Sequence, residues 1–280
     1  MKPAVRVPLG EIELPGGDAV PVGGQAFGPL SGPSAIVLAG LHGDAAEGVA
    51  AALALAAHWS AQPPPRSVIL FGCLNPLAVL HGSHRWPGLD VDFAARLPGD
   101  ANGHAPDRIA AALFEHLSQA ERVIELGAPD PGLWEVVHAE VWADAKVPAL
   151  QLPLVRLADR APAGSPGAWG AIRLRGGRTG RVHPTGVANL VAAVLAWVEG
   201  PLGERAGVDV LTTFAEAAGV FIPRALPGAR VVAGDVLGEL DGASICAQTD
   251  GTVLALRDKP TAHVGSVLAR LVRSPPGSGS

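Results

Sequence analysis

At 280 residues the chain is longer than one minimal domain needs and suits one large α/β domain with a small appendage. A formal charge of −5 and a pI near 6.0 exclude a protein that coats nucleic acid, whose footprint is a clustered excess of Lys and Arg. Cys73 and Cys246 are the only cysteines, which excludes a disulfide framework or a thiolate zinc site and fits a reducing compartment, so the expected location is the cytoplasm.

The N-terminus is polar and Gly-rich with no apolar signal region, and the longest helical apolar stretch, Gly48 to Trp59, is too short to cross a bilayer. Ser34 to Ala39 reads as a buried strand, Gly40 to Asp44 as a turn, and Glu47 to Trp59 as an Ala-rich helix. A second strand, Ser67 to Cys73, leads into Asn75-Pro76 and a long Gly- and Pro-rich loop from His81 to Pro106. Asp107 to Gln119 reads as a helix with Asp107 at its N-cap, followed by a strand from Arg122 to Leu126. Further strands are expected at Val147 to Leu152 and Trp169 to Arg175. Apolar residues at Val187, Leu190, Val191, Val194, Leu195 and Val198 set a helix from Pro184 to Glu199. Strands alternating with helices predict an α/β mixed sheet flanked by helices over residues 1–203.

After residue 203 the pattern changes to short alternating runs, which predicts a small all-β, barrel-like domain over 204–273 and a flexible tail at 274–280. Gly234 to Leu240 and Gly265 to Leu271 are similar and lie 31 residues apart, which suggests two related halves. The segment resembles lipoyl/biotinyl-type barrels, but Ser244 to Gly251 holds no Lys to carry a prosthetic group, so it reads as a structural appendage.

The run Gly40-Leu41-His42-Gly43-Asp44-Ala45-Ala46-Glu47-Gly48 follows a strand and opens a helix. Asn75-Pro76 with Gly82-Ser83-His84-Arg85, then Asp92-Phe93-Ala94-Ala95-Arg96-Leu97-Pro98-Gly99, Glu125-Leu126-Gly127 and Ile172 to Gly177 follow in order. This succession resembles the succinylglutamate desuccinylase/aspartoacylase family of zinc carboxypeptidase-like proteins. The resemblance implies that fold, with the small β segment of the family's long form, and a zinc-dependent amide hydrolase. By the same resemblance His42 stands at a zinc ligand and Arg85 at the position that polarises the scissile carbonyl.

The residues the resemblance calls on are mostly replaced. The Glu ligand position holds Ala45 and the second His position holds Gly127. The general-base position falls on Arg173 or Arg175, neither of which takes up a proton at neutral pH. The substrate-gripping Asn-Arg pair is Ala94-Ala95, or Asp92-Phe93 if the motif is anchored on Arg85. A catalytic zinc needs three protein ligands and an open position, so the inherited mechanism is expected to be lost. His42 is then a vestigial ligand, and a metal site would have to be rebuilt, with Glu47 and Glu125 as candidates; otherwise Asp44 and Glu47 cap the first helix.

His81 and His84 read as a pair in a solvated loop, and His58, His104, His116, His138, His183 and His263 as surface or capping residues. The one basic stretch, Arg173 to Arg181, reads either as an anion site or as arginines paired with acids left near the old metal pocket. The leading expectation is a pseudoenzyme that acts as a binding or scaffold subunit, with no cofactor and no nucleic-acid or membrane contact. Its ligand is a protein partner or a small anionic, carboxylate-bearing molecule met by His84, Arg85, Arg173, Arg175 and Arg178. The rival is an active deacylase or amidohydrolase with a displaced zinc site. Oligomeric state is left open, and the Ala-, Gly- and Pro-rich composition suggests a bacterial source.

Overall fold

The computed structural model describes residues 4–29, 34–142, 150, 152–157, 172–201 and 207–273. In chain order its elements begin with β1 (Val5–Glu13), β2 (Ala19–Phe27), β3 (Ala35–Ala39), α1 (Ala46–Ala61), β4 (Val68–Phe71), α2 (Pro76–His81), α3 (Ala105–Leu117) and β5 (Arg122–Leu126). They continue with β6 (Leu133–Trp142), β7 (Leu154–Leu157), β8 (Ile172–Arg178) and α4 (Pro184–Glu199). The remainder is β9 (Val210–Phe214), β10 (Gly219–Pro223), β11 (Arg230–Val231), β12 (Val236–Leu240), β13 (Ala243–Cys246), β14 (Gly251–Arg257), β15 (Thr261–Ala262) and β16 (Val267–Arg273).

One large mixed sheet runs β1-β2-β4-β3-β5-β8-β6-β14-β16-β9. Its centre, β4-β3-β5-β8, is parallel, and such strands are apolar throughout because helices cover both faces. In β3, Ala35, Val37 and Ala39 face a core shared with α1 and α4, while Ile36 and Leu38 face a second core with Phe71, Leu74 and Ile109 and Leu113 of α3. The period of two along the strand thus sorts residues between two helical layers.

The ends of α4 are closed by charges that suit its dipole. Glu47 accepts a hydrogen bond from the backbone N–H of His183 at 2.9 Å, and Arg122 donates to the carbonyls of Trp197 and Gly200 at 3.1 and 3.0 Å. Glu47 therefore caps α4 and not α1, whose N-cap is Ala45 without a side-chain bond. The α3 helix starts earlier than its sequence suggests, at Ala105, because Pro106 is pre-set for the first turn; Asp107 lies inside that turn.

The β1–β2 hairpin, β6 and β7 have no counterpart among the expected elements; the hairpin is built from Gly- and Pro-containing segments. The expected strand over Val147 to Leu152 falls largely outside the described residues, with Leu150 and Leu152 not in a strand; of the strand expected over Trp169 to Arg175, residues 169–171 lie outside the described residues and the rest is met by β8.

Beyond residue 203, β14, β16 and β9 extend the large sheet through the β14–β6 pairing, and β13-β12-β10-β15 form a second sheet. The 31-residue similarity has a structural counterpart. Gly234 and Gly265 both take positive φ, Asp235 Oδ2 accepts from Val232 N–H, and Ser266 Oγ accepts from His263 N–H, each at 2.9 Å. No helix among the described residues is long and apolar enough to cross a membrane.

Candidate functional site

The loop after β3 carries His42 against the segment that follows α2. That helix is capped by Asn75, which accepts from Ala78 N–H at 3.1 Å, and ends at Gly82 in the left-handed region. Gly43 makes the close approach feasible, since a Cβ there would lie 1.9 Å from the Ala78 carbonyl oxygen. Its N–H donates to Ser83 O at 2.9 Å, which brings His42 and His84 together with stacked rings, centroids 4.0 Å apart and planes 6° from parallel.

Each imidazole is held by its own carboxylate. His42 Nε2 lies 3.1 Å from Asp92 Oδ1, and His84 Nδ1 lies 3.1 Å from both oxygens of Asp44. The hydrogen bond from His42 pushes the half-buried Asp92 carboxyl down to about 2, against the opposing effect of burial, while the Asp44 hydrogen bond raises His84 above the ordinary imidazole value. An ionised carboxylate only accepts, so the ring protons sit on His42 Nε2 and His84 Nδ1. One donor atom each of His42, His84 and Asp92 lies within 4.8 Å of the others. His84 is exposed, as its loop position leads one to expect, yet it is held by Asp44 and stacked on His42, and Asp92, expected only as a remnant of a substrate-gripping motif, joins the site.

His42, His84 and Asp92, with Ala94 and Ala95, form one wall of a cavity of about 330 Å³ that Glu125, Asp130, Arg173 and Arg175 also line. The opposite wall follows from register. Arg173 of β8 stands across from Glu125 of β5 and Glu140 of β6, and Arg175 across from His138, so the sheet face away from α1 and α4 bears a row of alternating charge. Arg173 Nε donates to Glu125 at 3.2 Å. Arg175 reaches Glu135 at 3.1 Å, Glu140 at 3.3 Å and Asp130, and Arg270 adds a second cation to Asp130 and Glu135. Burial pushes the Glu135 carboxyl up; burial also acts on Asp130 and Glu140, but Arg175 and Arg270 hold Asp130, and His138 with Arg175 and Arg173 holds Glu140, below the usual carboxylate range.

Of the ligand-binding residues expected from sequence, His84, Arg173 and Arg175 line the cavity. Arg85 turns to Asp90 at 3.3 Å, and Arg178 lies 4.2 Å over the Trp134 ring and 3.4 Å from Asp258; neither is in the cavity wall. Glu47 faces Gly177 and Gly186 under α4, away from the cavity, and Glu125 is in the wall but engaged by Arg173. His138 is buried among the acids and is no surface residue. Glu135, His138 and Glu140 were missed because β6 was; its signal is the alternation of Val137, Ala139 and Val141 with His138 and Glu140.

No family model matches the chain, and no curated protein matches it. Solved structures do. A succinylglutamate desuccinylase/aspartoacylase from Rhodobacter sphaeroides superposes with a TM-score of 0.75 at 17% identity, covering 97% of this chain and 96% of that one. The product-bound ectoine utilization protein EutE (DoeB) from Ruegeria pomeroyi gives 0.74 at 19%, covering 98% and 100%. An aspartoacylase family protein from Mesorhizobium loti gives 0.72 at 21%, covering 98% and 95%. The chain has the succinylglutamate desuccinylase/aspartoacylase fold.

Within this desuccinylase/aspartoacylase fold, the zinc set implied by the resemblance does not fit the residues present. Ala45 offers no donor. At Gly127 a Cβ would stand 3.0 Å from Cγ and Cδ of Arg173 and 3.3 Å from Glu125 Oε1, so a ligand side chain there would crowd the arginine stem, which would have to give by a few tenths of an ångström.

Proposed function

We propose that this chain is a divergent member of the desuccinylase/aspartoacylase family that no longer hydrolyses amides by the inherited route and keeps the cleft to bind a small carboxylate-bearing ligand. The observation that carries this reading is the Arg173 stem packed into the space beside Gly127, with its guanidinium on Glu125. The stem of an arginine lies beside the position where the family mechanism requires a neutral imidazole ligand, and Ala45 removes the carboxylate beside His42.

Arg173 is the cation on which a ligand carboxylate is received, because its side chain is 23% exposed at the cavity wall, whereas Arg175 is enclosed by Glu135, Glu140 and Asp130. The flat, forked guanidinium suits a carboxylate shared with Glu125. The test has two parts. Zinc-supplemented protein should release no acid from N-acyl amino acids above the rate of a His42→Ala control. Titration calorimetry with N-acyl amino acids and short dicarboxylates should detect binding that Arg173→Met weakens roughly 10-fold or more, the worth of one charge-assisted hydrogen bond. Zinc-dependent turnover, or the absence of any carboxylate binding, overturns the reading.

The rival, a hydrolase with a displaced metal, is favoured by one observation, the convergence of His42, His84 and Asp92 on the same cavity. Against it stands the base: Glu125, a buried carboxylate in the cavity wall, is engaged by Arg173.

A further inference from the structure

We infer that His42, His84 and Asp92 form a new binding site for one divalent first-row transition ion, different in two of its three donors from the set the fold implies. Two imidazoles and one carboxylate match the donor chemistry of zinc, cobalt(II) or iron(II), and three protein ligands leave a position open. The donor atoms lie within 4.8 Å of one another, and the cavity of about 330 Å³ adjoins them. For metal–donor bonds of about 2.0–2.2 Å, neighbouring donors in a tetrahedral site are roughly 3.3 Å apart. The 3.1 Å between His42 Nε2 and Asp92 Oδ1 is close to that edge, so an ion can replace the proton those two atoms share, and the stacked rings, 6° from parallel, turn about their side-chain bonds so that both lone pairs meet it.

The surroundings are those of a supported ligand set. Asp44 holds His84 by Nδ1, which turns Nε2 of that ring out as the donor, and backbone N–H of Ala94 fixes Asp92 Oδ1 at 2.9 Å. Asp44 is itself buried, and its backbone carbonyl accepts from Gly180 N–H at 2.8 Å, which ties the support to the turn after β8. The charges agree. Arg173 and Arg175 are matched by Glu125, Asp130, Glu135 and Glu140, so Asp92 and Asp44 are left to offset a dication. This inference is independent of the loss of hydrolysis proposed above, because it concerns binding and supplies no base.

The test uses untagged full-length protein, first treated with chelator, and titrated with zinc and with cobalt(II). Expected are one equivalent of bound ion by calorimetry and visible absorption of bound cobalt(II). His84→Ala and Asp92→Asn should each lower affinity at least ~100-fold, beyond the 10–100-fold that loss of an outer-shell partner causes, which Asp44→Asn should show. A His58→Ala control, at a half-buried position of α1 outside the cavity, should bind as the parent does. Failure to bind an ion stoichiometrically, or binding indifferent to both His84→Ala and Asp92→Asn, refutes the site while leaving the proposed loss of hydrolysis standing. An ion bound at these residues together with acyl-amino-acid turnover leaves the site standing and removes that proposal.

Discussion

Replacing Arg175 with Met removes the cation at the centre of the buried charge row while keeping much of the side-chain volume. Three carboxylates lose a partner: Glu135 and Glu140, both buried, and Asp130, about one-third exposed. Removing one partner of a buried ion pair typically destabilises by about 3–5 kcal/mol, because the remaining charge is left without compensation. Arg270 stays beside Glu135 and Asp130 and Arg173 beside Glu140, so the lower end, about 3 kcal/mol, is expected. In a chain of this size that corresponds to a fall in Tm of roughly 6–12 °C, measured by calorimetry or circular dichroism.

The loss should depend on pH in a definite sense. Asp130 and Glu140 have folded-state values below the usual range, so the stability they contribute is fully present above their unfolded values near 4 and is lost as pH falls through the folded values. The gap between parent and variant should therefore be full at pH 7 and narrow in acid. Adding Glu135→Gln to the variant removes a carboxylate that burial already pushes up, and should restore about 1 kcal/mol or more; a double-mutant cycle reads the coupling. A variant within 2 °C of the parent at pH 7, or a gap that widens toward acid, would mean that the arginine does not organise this cluster.

Other consequences are as direct. Installing the zinc set that the resemblance implies by Ala45→Glu with Gly127→His should raise zinc affinity further by calorimetry when Arg173→Ala is added, since the arginine stem crowds position 127. Gly177→Ala should cost about 2 kcal/mol or more in urea unfolding: φ is +79° and the new Cβ would sit 2.3 Å from Glu47 Oε2. Glu47→Ala should lose about 1–2 kcal/mol of α4 capping and soften the effect of Gly177→Ala in the double variant. Glu47→Gln, which keeps the acceptor and gives the buried, unpartnered Oε2 position a neutral group, should stay within about 1 kcal/mol of the parent.

Local sequence determined the central sheet and its helices. An apolar run such as Ala35 to Ala39 cannot be anything but buried, and the helical period of Leu190, Val194 and Trp197 allows only one face to meet the core. The departure from the zinc residues that the resemblance implies was equally legible, because it is a matter of which side chains exist at positions 45 and 127. The pairing of Arg173 and Arg175 with acids was foreseen in kind, though not the partners on β6.

Tertiary structure alone decided the composition of the site. His42, His84 and Asp92 are far apart along the chain and meet because Gly43 lets the β3 loop press on α2. Glu47 left the cavity because its position on α1 faces the start of α4. The charged wall exists because register sets β5, β8 and β6 side by side, and register is a property of paired strands that no single segment contains. Hydrophobic pattern fixes which face of an element is covered; which polar groups then converge depends on distances between elements, and those are set only when the whole sheet is assembled.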